Sequence, residues 1–279
     1  MLLPNFIIIG AMKAGTTTLY DQLRRQPGIY LPELKEPNFF SNDDQYARGI
    51  DWYSSLFASA RADDVIGEAS THYTKLPTFP STVARMRTIL ENPRFIYVMR
   101  HPIDRLISQY IHQWSEGEFR FGLEEAIERH PELIHYSCYS LQLAPYVRTF
   151  GVEAILPVFF ERMLANPDET FSRICEFIGY KGEGSWTVGL AAQNASNERL
   201  RKFPGYKVLV QSKMATDLRR YFAPRALRAR IRQSLTMKRR PTLNLYTRRR
   251  LEQVFESDFK VLEGWFGAPI TWESFSQNK

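Results

Sequence analysis

The fold of this chain is decided by the stretch Phe6-Ile-Ile-Ile-Gly-Ala-Met-Lys-Ala-Gly-Thr-Thr-Thr18. The apolar, β-branched run Asn5–Ile9 predicts a buried strand, and Leu19 and Leu23 continue the stretch with the spacing of a helix. A glycine loop between a strand and a helix leaves several backbone N–H groups unpaired and directed at one spot, where the helix dipole adds positive charge. The stretch therefore predicts an anion-binding loop.

The lysine in this loop separates it from the ATP-binding loop of kinases and ATPases. In the Walker A pattern the lysine directly follows the second glycine, and the next Ser or Thr holds Mg²⁺. Here Lys13 precedes Gly15 by two positions, and no apolar strand ends in the aspartate that would complete a metal site. The loop suits one phosphate group and a cation supplied by the protein, with no metal. The predicted anion ligands are Lys13, Ala14, Gly15, Thr16, Thr17 and Thr18.

The rest of the chain alternates short apolar runs with helical patterns. This alternation predicts an α/β fold with a central parallel sheet covered by helices on both faces, a P-loop-like nucleotide-binding fold. We interpret residues 1–279 as one domain with a basic helical C-terminal region. Further strands are predicted at Val65–Glu68, Arg94–Met99 and Ala154–Phe159, and helices at Ser81–Leu90, Leu123–Glu128, Tyr139–Phe150, Asp168–Ile178, Tyr206–Arg232 and Leu245–Trp265, with a loop at Gly182–Glu198.

Composition places the chain among ordinary globular proteins, with 44% hydrophobic and 24% charged residues. No apolar run approaches the roughly 20 residues that a bilayer-spanning helix needs. The N-terminus lacks the basic region and the cleavage site of a signal peptide. Two cysteines, Cys138 and Cys175, are too few for a disulfide framework and fit free thiols in a reducing compartment. We therefore expect a cytoplasmic protein without stable membrane association.

The net charge of +7 is unevenly distributed. Residues 199–250 contain 17 Lys or Arg and one acid, so this segment carries +16, while the remaining 20 bases and 29 acids sum to −9. A basic segment of this kind fits nucleic acid, an anionic membrane surface, an anionic small ligand or simply a solvated helical face.

Three segments together resemble the sulfotransferases that use 3′-phosphoadenosine 5′-phosphosulfate (PAPS), in particular the branch of the heparan sulfate sulfotransferases and their bacterial relatives. The segment Phe6–Thr17 resembles the 5′-phosphosulfate loop of that family. The segment Lys35-Glu-Pro-Asn-Phe-Phe40, followed by Gly49-Ile-Asp-Trp-Tyr53, is the second match. The third is Tyr97-Val-Met-Arg-His-Pro-Ile-Asp-Arg-Leu-Ile-Ser-Gln-Tyr110, which is similar to the 3′-phosphate element. The resemblance covers most of the chain.

The resemblance implies a role for several of these residues. Lys13 would stabilise charge on the bridging oxygen as the product nucleotide, 3′-phosphoadenosine 5′-phosphate (PAP), leaves. Glu36 would take the proton of the acceptor. Arg100 and Ser108 would bind the 3′-phosphate, as an Arg fork beside a hydroxyl can, whereas Arg105 could be plain helix surface. A loop closing over the nucleotide would contribute Arg199, Arg201 or Lys202.

The acceptor side departs from the glycan-modifying relatives. After Gly67-Glu68 those relatives usually carry Lys, but Ala69 stands here, and Asn38 stands where some of them have His. His72 is either a second proton acceptor or a structural residue. The expected acceptor is therefore the hydroxyl or amine of a small polar metabolite or natural product, as in secondary metabolism, rather than a glycan. The candidate acceptor-side residues are Glu36, Trp52, Tyr53, His72, Tyr73 and Trp114.

Two other functions stay open on the sequence alone. One is a small-molecule kinase that uses ATP and Mg²⁺, which fits the strand, loop and helix at the start of the chain but not the lysine position. The other is a nucleic-acid-binding protein that uses the basic 199–250 segment. The nucleotide-closing loop that the resemblance implies explains part of that charge without a nucleic-acid partner, so we expect none.

Overall fold

Five short parallel strands form one sheet in the order β2-β3-β1-β4-β5. The computed structural model describes residues 1–187, 189, 201 and 235–276. The first strand lies in the middle of the sheet. The next strand along the chain, β2, forms one edge, and β3 fills the place between β2 and β1. The last two strands, β4 and β5, extend the sheet on the other side of β1. The strands are β1 (Phe6–Gly10), β2 (Ile29–Tyr30), β3 (Val65–Ala69), β4 (Arg94–Met99) and β5 (Ile155–Phe159).

Helices connect the strands and cover the sheet. Within the described residues they are α1 (Thr16–Arg24), α2 (Asp43–Tyr46), α3 (Gly49–Ser55), α4 (Thr82–Ile89), α5 (Pro102–Ser115), α6 (Leu123–Arg129), α7 (Glu132–His135), α8 (Tyr139–Phe150), α9 (Phe160–Ala165), α10 (Pro167–Ile178) and α11 (Leu245–Phe266). Short 3₁₀ helices lie at Thr71–Thr74, Val152–Ala154 and Trp272–Phe275. None of these described helices is long and apolar enough to cross a bilayer.

The predicted strands and helices are present, with ends that differ by one or two residues. All five residues of β1 are buried, as expected for a strand in the middle of a sheet with helices on both faces. The sequence analysis did not predict β2, because two residues give no periodic signal. The predicted helix Tyr206–Arg232 and most of the predicted loop Gly182–Glu198 lie outside the described residues.

The parallel pairing of β1 with β4 fixes where a ligand can bind. Phe6 pairs with Arg94 and Ile8 with Ile96, so the loops that follow the two strands leave the same edge of the sheet. The connections run in opposite directions on the two sides of this pair, which makes it the topological switch point. In open parallel α/β sheets the ligand crevice lies at such a point, beyond the carboxyl ends of the strands.

A buried carboxylate fastens α11 to this body of the protein. Asp258 of α11 accepts hydrogen bonds from the backbone N–H groups of Tyr139 (2.8 Å) and Ser140 (2.9 Å), and from the Ser140 hydroxyl (2.5 Å). Both residues belong to the first turn of α8, whose N-cap residue Cys138 makes no side-chain cap. Asp258 thus satisfies N–H groups that the helix leaves unpaired.

Replacing Asp258 with Ala is therefore expected to lower the free energy of unfolding by roughly 2–4 kcal/mol, because two buried N–H groups lose their acceptor. Urea unfolding followed by circular dichroism measures this loss. Ser257→Ala, at the neighbouring exposed position of α11, is the control and should change stability little. Equal stability of the two variants would show that Asp258 does not hold α8 and α11 together.

Candidate active site

The phosphate loop follows β1 at the switch point of the sheet. Its lysine, Lys13, has a left-handed backbone (φ 70°), and so does Gly15 (φ 85°), which is the N-cap residue of α1. Left-handed backbone is uncommon for a residue with a side chain and tends to occur at functional sites. A Cβ on Gly15 would lie 2.5 Å from the ring of Phe160, so this position requires glycine. The N–H groups of the first turn of α1 are left for an anion.

Arg100 lies directly against this loop. It follows β4, and its Nη1 donates a hydrogen bond to the backbone oxygen of Lys13 (3.3 Å). Its backbone N–H and C=O both pair with the hydroxyl of Tyr139, at 3.2 Å and 2.5 Å. Burial lowers the pKa of Arg100, against the opposing effect of Asp104, but a guanidinium stays charged at any physiological pH. Ser108 lies half-exposed on α5. The structure thus brings the Arg100 guanidinium to the predicted anion site.

Arg105 is not on the surface of α5, where the sequence analysis allowed it to be. Its side chain is fully buried. Its Nη1 donates to the Met12 carbonyl of the phosphate loop (3.4 Å) and its Nη2 to the Leu133 carbonyl (2.9 Å), and the remaining acceptors are Gln109 and Ser137. Within the described part of the chain these acceptors are all neutral. Arg105 therefore supports the phosphate loop from beneath and brings a buried positive charge to it.

The predicted nucleotide-closing loop is described at one position. Arg201 lies over the ring of Trp114, with its guanidinium carbon 5.5 Å from the ring centre, and its Nη2 is 3.5 Å from the Phe119 carbonyl. Trp114 is at the end of α5 far from the phosphate loop, so the structure pairs Arg201 with a residue predicted for the acceptor side. Arg199 and Lys202 lie outside the described residues.

Glu36 lies in the loop after β2, on the same edge of the sheet as the phosphate loop. Its backbone N–H donates to the Ala69 carbonyl at the end of β3 (2.9 Å), and its backbone is left-handed (φ 57°). Its Oε1 accepts from Lys35 Nζ (2.8 Å) and from the hydroxyl of Thr71 (3.4 Å). The carboxylate is thus held by two donors and is half-exposed towards the cleft.

The charges around Glu36 keep it ionised. Burial raises the pKa of this carboxyl, but the charge and hydrogen bond of Lys35, together with the charges of His72 and Lys75 in their protonated forms, outweigh burial. The pKa of Glu36 therefore lies below the ordinary value of 4.5. At neutral pH, Glu36 is therefore a carboxylate with room to accept a proton.

His72 and Lys75 come to this cleft from the 3₁₀ helix Thr71–Thr74 and the residue that follows it. In a 3₁₀ helix residues three positions apart lie above one another, which aligns these two side chains. The His72 ring stacks on Phe79, with ring centres 5.0 Å apart, and burial with the charge of Lys75 lowers its pKa to about 4. Lys75 lies near the ring of Tyr136 (6.0 Å), and burial lowers its pKa to about 8. His72 is neutral at pH 7.

Tyr53 and Tyr73 do not line the acceptor side, so that prediction is wrong for both. They are buried, and their hydroxyls donate to the fully buried carboxylate of Glu68, at 2.5 Å and 3.1 Å. The Ser70 hydroxyl donates to the other oxygen of Glu68 (2.5 Å) and accepts from the backbone N–H of Asn38 (3.1 Å). This network ties the Glu36 loop to the end of β3.

Trp52 is half-buried on α3. The Arg48 guanidinium covers one face of its ring (3.7 Å), and Phe39 lies 6.0 Å from it. Among the residues that the structure describes, no group of three or more His, Cys, Asp or Glu side chains has the arrangement of a metal site.

Comparison with known proteins identifies the family and the fold of this chain. Residues 3–263 match the family model described as "Sulfotransferase domain". The chain belongs to the sulfotransferase domain family. A structure of a sulfotransferase from Alicyclobacillus acidocaldarius has the same fold, with a TM-score of 0.69 and 22% identity over 98% of this chain and 100% of that one.

Two curated sulfotransferases illustrate the sequence similarity. The membrane-associated sulfotransferase kil1 of Dictyostelium discoideum is 38% identical over 140 residues, which are 48% of this chain and 28% of that protein. Heparan sulfate glucosamine 3-O-sulfotransferase 3B1 of mouse is 29% identical over 188 residues, which are 64% of this chain and 47% of that protein. The chain thus spans less than half the length of either relative.

Sequence reasoning missed the roles of three residues of this candidate site. Lys75 lies in a stretch without a periodic or motif signal, although the His72–Lys75 spacing is that of a 3₁₀ turn. Glu68 ends the predicted strand Val65–Glu68, whose pattern did not show that its carboxyl is buried. Arg105 stands four positions before Gln109, so the sequence places a neutral hydrogen-bond partner on the same helix but no acid at that spacing. No sequence feature showed that the phosphate loop packs on it.

The buried carboxyl of Glu68 gives the fold a pH dependence. Burial raises its pKa to about 7, against the hydrogen bonds of Ser70, Tyr53 and Tyr73. The folded state then binds the proton more tightly than the unfolded chain, so this contribution to stability is complete below about pH 4.5 and is lost as pH rises to about 7. Glutamine does not ionise, so we expect Glu68→Gln to avoid this loss of folding stability, which is roughly 3 kcal/mol.

Urea unfolding of wild type and Glu68→Gln at pH 5 and pH 8 measures the effect. The stability difference between the two proteins should shift in favour of the variant at the higher pH. Asp258, whose pKa burial raises to about 6, titrates in the same range but is common to both proteins. A difference that does not change with pH would contradict the assignment.

Proposed function

We propose that the chain transfers the sulfuryl group of PAPS to a hydroxyl or amine of an acceptor, with Glu36 as general base and Lys13 at the leaving phosphate. The observation that carries the proposal is the ionised Glu36 carboxylate, held by Lys35 and Thr71 at the sheet edge from which the phosphate loop also leaves. A nucleic-acid-binding protein has no comparable use for this carboxylate. An ATP-dependent kinase could use such a base, but membership of the sulfotransferase domain family favours neither alternative.

The donor side fits a nucleotide with two separate phosphate positions. The phosphate loop offers the N–H groups of α1, the hydroxyls of Thr17 and Thr18, and Lys13 to the 5′-phosphosulfate. Arg100, beside the loop, and Ser108, on α5, would take the 3′-phosphate. The buried charge of Arg105 adds positive potential beneath the loop without contacting the nucleotide.

Transfer needs positioning and charge stabilisation more than covalent chemistry by the protein. The acceptor oxygen or nitrogen attacks sulfur in line, its bond to sulfur forms as the bond from sulfur to the bridging oxygen breaks, and PAP leaves. The acceptor proton goes to Glu36. Lys13 and the N-terminus of α1 stabilise the negative charge that develops on the departing phosphate. With a pKa of about 4, the imidazole of His72 is neutral at pH 7, so unlike the Glu36 carboxylate it brings no negative charge to the acceptor proton.

The acceptor side favours a small polar molecule. Ala69 lacks the lysine of the glycan-modifying relatives, but Lys75 brings a positive charge to the cleft from the neighbouring 3₁₀ helix. We propose a small metabolite with hydroxyl or amine groups, handled by a single domain in the cytoplasm.

The nucleotide assignment predicts tight, metal-independent binding of PAP. Because Arg100 would make charged hydrogen bonds to the 3′-phosphate, Arg100→Ala should weaken PAP binding by about 10- to 150-fold. Wild type should bind 5′-AMP, which lacks that phosphate, correspondingly weakly. Isothermal titration calorimetry in EDTA gives each constant.

Arg94→Ala is the matched control, since Arg94 lies at the opposite end of the same strand and is exposed. It should bind PAP as wild type does. A preference for ATP with Mg²⁺ over PAP would instead support the kinase alternative.

If Glu36 is the general base, its pKa sets the pH below which activity falls. Glu36→Gln and Lys13→Ala should each lower kcat by about 10²- to 10⁴-fold while leaving the fold intact. Lys35→Met removes the largest favourable charge at Glu36, so burial then raises its pKa and activity should begin to fall at a higher pH than in wild type. Sulfate transfer from ³⁵S-labelled PAPS is measured with the best acceptor from phenols, amino sugars and desulfated heparan oligosaccharides.

Two outcomes of this experiment count against parts of the proposal. Glu36 would be excluded as the base if activity of Lys35→Met fell at the same low pH as in wild type, or if Glu36→Gln were fully active. Transfer to the oligosaccharides in preference to the small acceptors would show that the enzyme modifies glycans.

A further inference from the structure

The long helix α11 has a second face that the proposed function does not use. Its inner face packs on the protein through Thr247, Leu251, Phe255, Asp258, Phe259 and Leu262. On the outer side, residues three or four positions apart form a stripe along the helix, as the period of about 3.6 residues requires. The stripe consists of Tyr246, Arg250, Val254, Ser257 and Val261.

This outer stripe and the residue beside its first turn expose several large apolar side chains. Tyr246 is 77% exposed, Val254 39% and Val261 44%, and Leu245, in the same first turn as Tyr246, is 65% exposed. These four are almost half of the nine large hydrophobic residues that are exposed in the described chain. Single exposed apolar residues are common, but a row of them on one helix face marks an interaction surface.

Positive charge surrounds the N-terminal end of the stripe. Residues 235–251 contain six Lys or Arg and no acid. Arg240 pairs with Asp104 (2.6 Å) and Arg248 with Glu252 (2.9 Å). The other four, Lys238, Arg239, Arg249 and Arg250, are exposed and form no salt bridge with another described residue.

The acids of α11 are directed away from this surface. Glu252 holds Arg248, and Glu256 accepts a hydrogen bond from the indole N–H of Trp272 (2.9 Å). The stripe itself contains no acid. Its chemistry is therefore apolar and aromatic along the helix, and cationic at one end.

We propose that this surface, comprising Lys238, Arg239 and the outer stripe of α11 with Leu245 and Arg249, docks the protein reversibly on a bilayer that contains anionic phospholipid. A helix that lies in the interface buries apolar side chains at the boundary of head groups and acyl chains, while neighbouring Lys and Arg attract anionic lipid. Tyrosine, with an apolar ring and a polar tip, suits that depth.

A soluble polyanion is the weaker fit. An acidic polysaccharide or a nucleic acid would be held by the same cations but would leave Leu245, Tyr246 and the two valines exposed. A second copy of the chain would present the same cations, and like charges repel across a symmetric contact.

The docking surface adjoins an ion pair near the proposed nucleotide site, but the docking proposal does not depend on that site. Arg240 pairs with Asp104 (2.6 Å), and the charges of both residues act on the pKa of Arg100. The proposal amends the expectation of no stable membrane association to reversible peripheral binding.

Vesicle sedimentation tests the proposal with the full chain. Wild type should co-sediment with vesicles of phosphatidylcholine and phosphatidylserine but not with phosphatidylcholine alone. The double variant Leu245→Ser with Tyr246→Ser leaves the charge unchanged, and Arg249→Gln with Arg250→Gln leaves the apolar residues unchanged. Each should weaken vesicle binding roughly tenfold or more.

Matched controls are exposed residues of the same kinds elsewhere. Leu141→Ser with Leu164→Ser, and Arg61→Gln with Arg87→Gln, should bind vesicles as wild type does. Thermal melts establish that every variant is folded, and PAP binding should be equal in all of them. The two proposals are thereby separated, because a failure of PAP binding in wild type concerns the proposed function alone.

Three results would overturn the docking proposal. The first is no binding to the anionic vesicles by a protein that still binds PAP. The second is a loss of binding in the arginine variant but not in the Leu245 and Tyr246 variant, which would indicate an acidic polymer as the natural partner. The third is a concentration-dependent dimer that the Leu245 and Tyr246 variant abolishes, which would indicate a second copy.

Discussion

The parallel pairing of β1 with β4 is the contact on which the rest of the site depends. Because the two strands are neighbours at the switch point, the phosphate loop after one and Arg100 after the other leave the sheet side by side, and the Arg100 guanidinium reaches the Lys13 carbonyl. The pairing of β1 with β3 does the same on the other side, where the end of β3 holds the loop of Glu36. One edge of a sheet thus gathers a donor side and an acceptor side.

Buried charges hold the loops at this edge. Arg105 lies beneath the phosphate loop with neutral acceptors among the described residues, and Glu68 lies beneath the Glu36 loop with three hydroxyl donors. Burying a charge is costly, and the hydrogen bonds of each charge recover part of that cost. In both cases the charge supports a loop whose key residue, Lys13 or Glu36, has a left-handed backbone. The tertiary structure stabilises a strained local geometry that the loops would not keep alone.

The two ends of the basic C-terminal segment have different surroundings. Arg201 packs on Trp114 in the body of the protein, while four cations between Lys238 and Arg250 face outward beside exposed apolar residues of α11. A single count of +16 for residues 199–250 therefore combines different environments. The described ends of this segment therefore do not form one uniform charged patch, and they can serve different functions.

The sequence by itself determined the parallel α/β class, four of the five strands and the anion-binding loop, because these depend on local patterns: apolar runs, glycine positions and helix spacing. It also determined the family, through motifs that are contiguous in the chain. Only the tertiary structure decided that Arg105 is buried, that Tyr53 and Tyr73 bind Glu68 rather than an acceptor, and that the charge of Lys75 acts on Glu36. These depend on contacts between residues distant in sequence, and whether a polar side chain is buried or exposed is set by what packs over it.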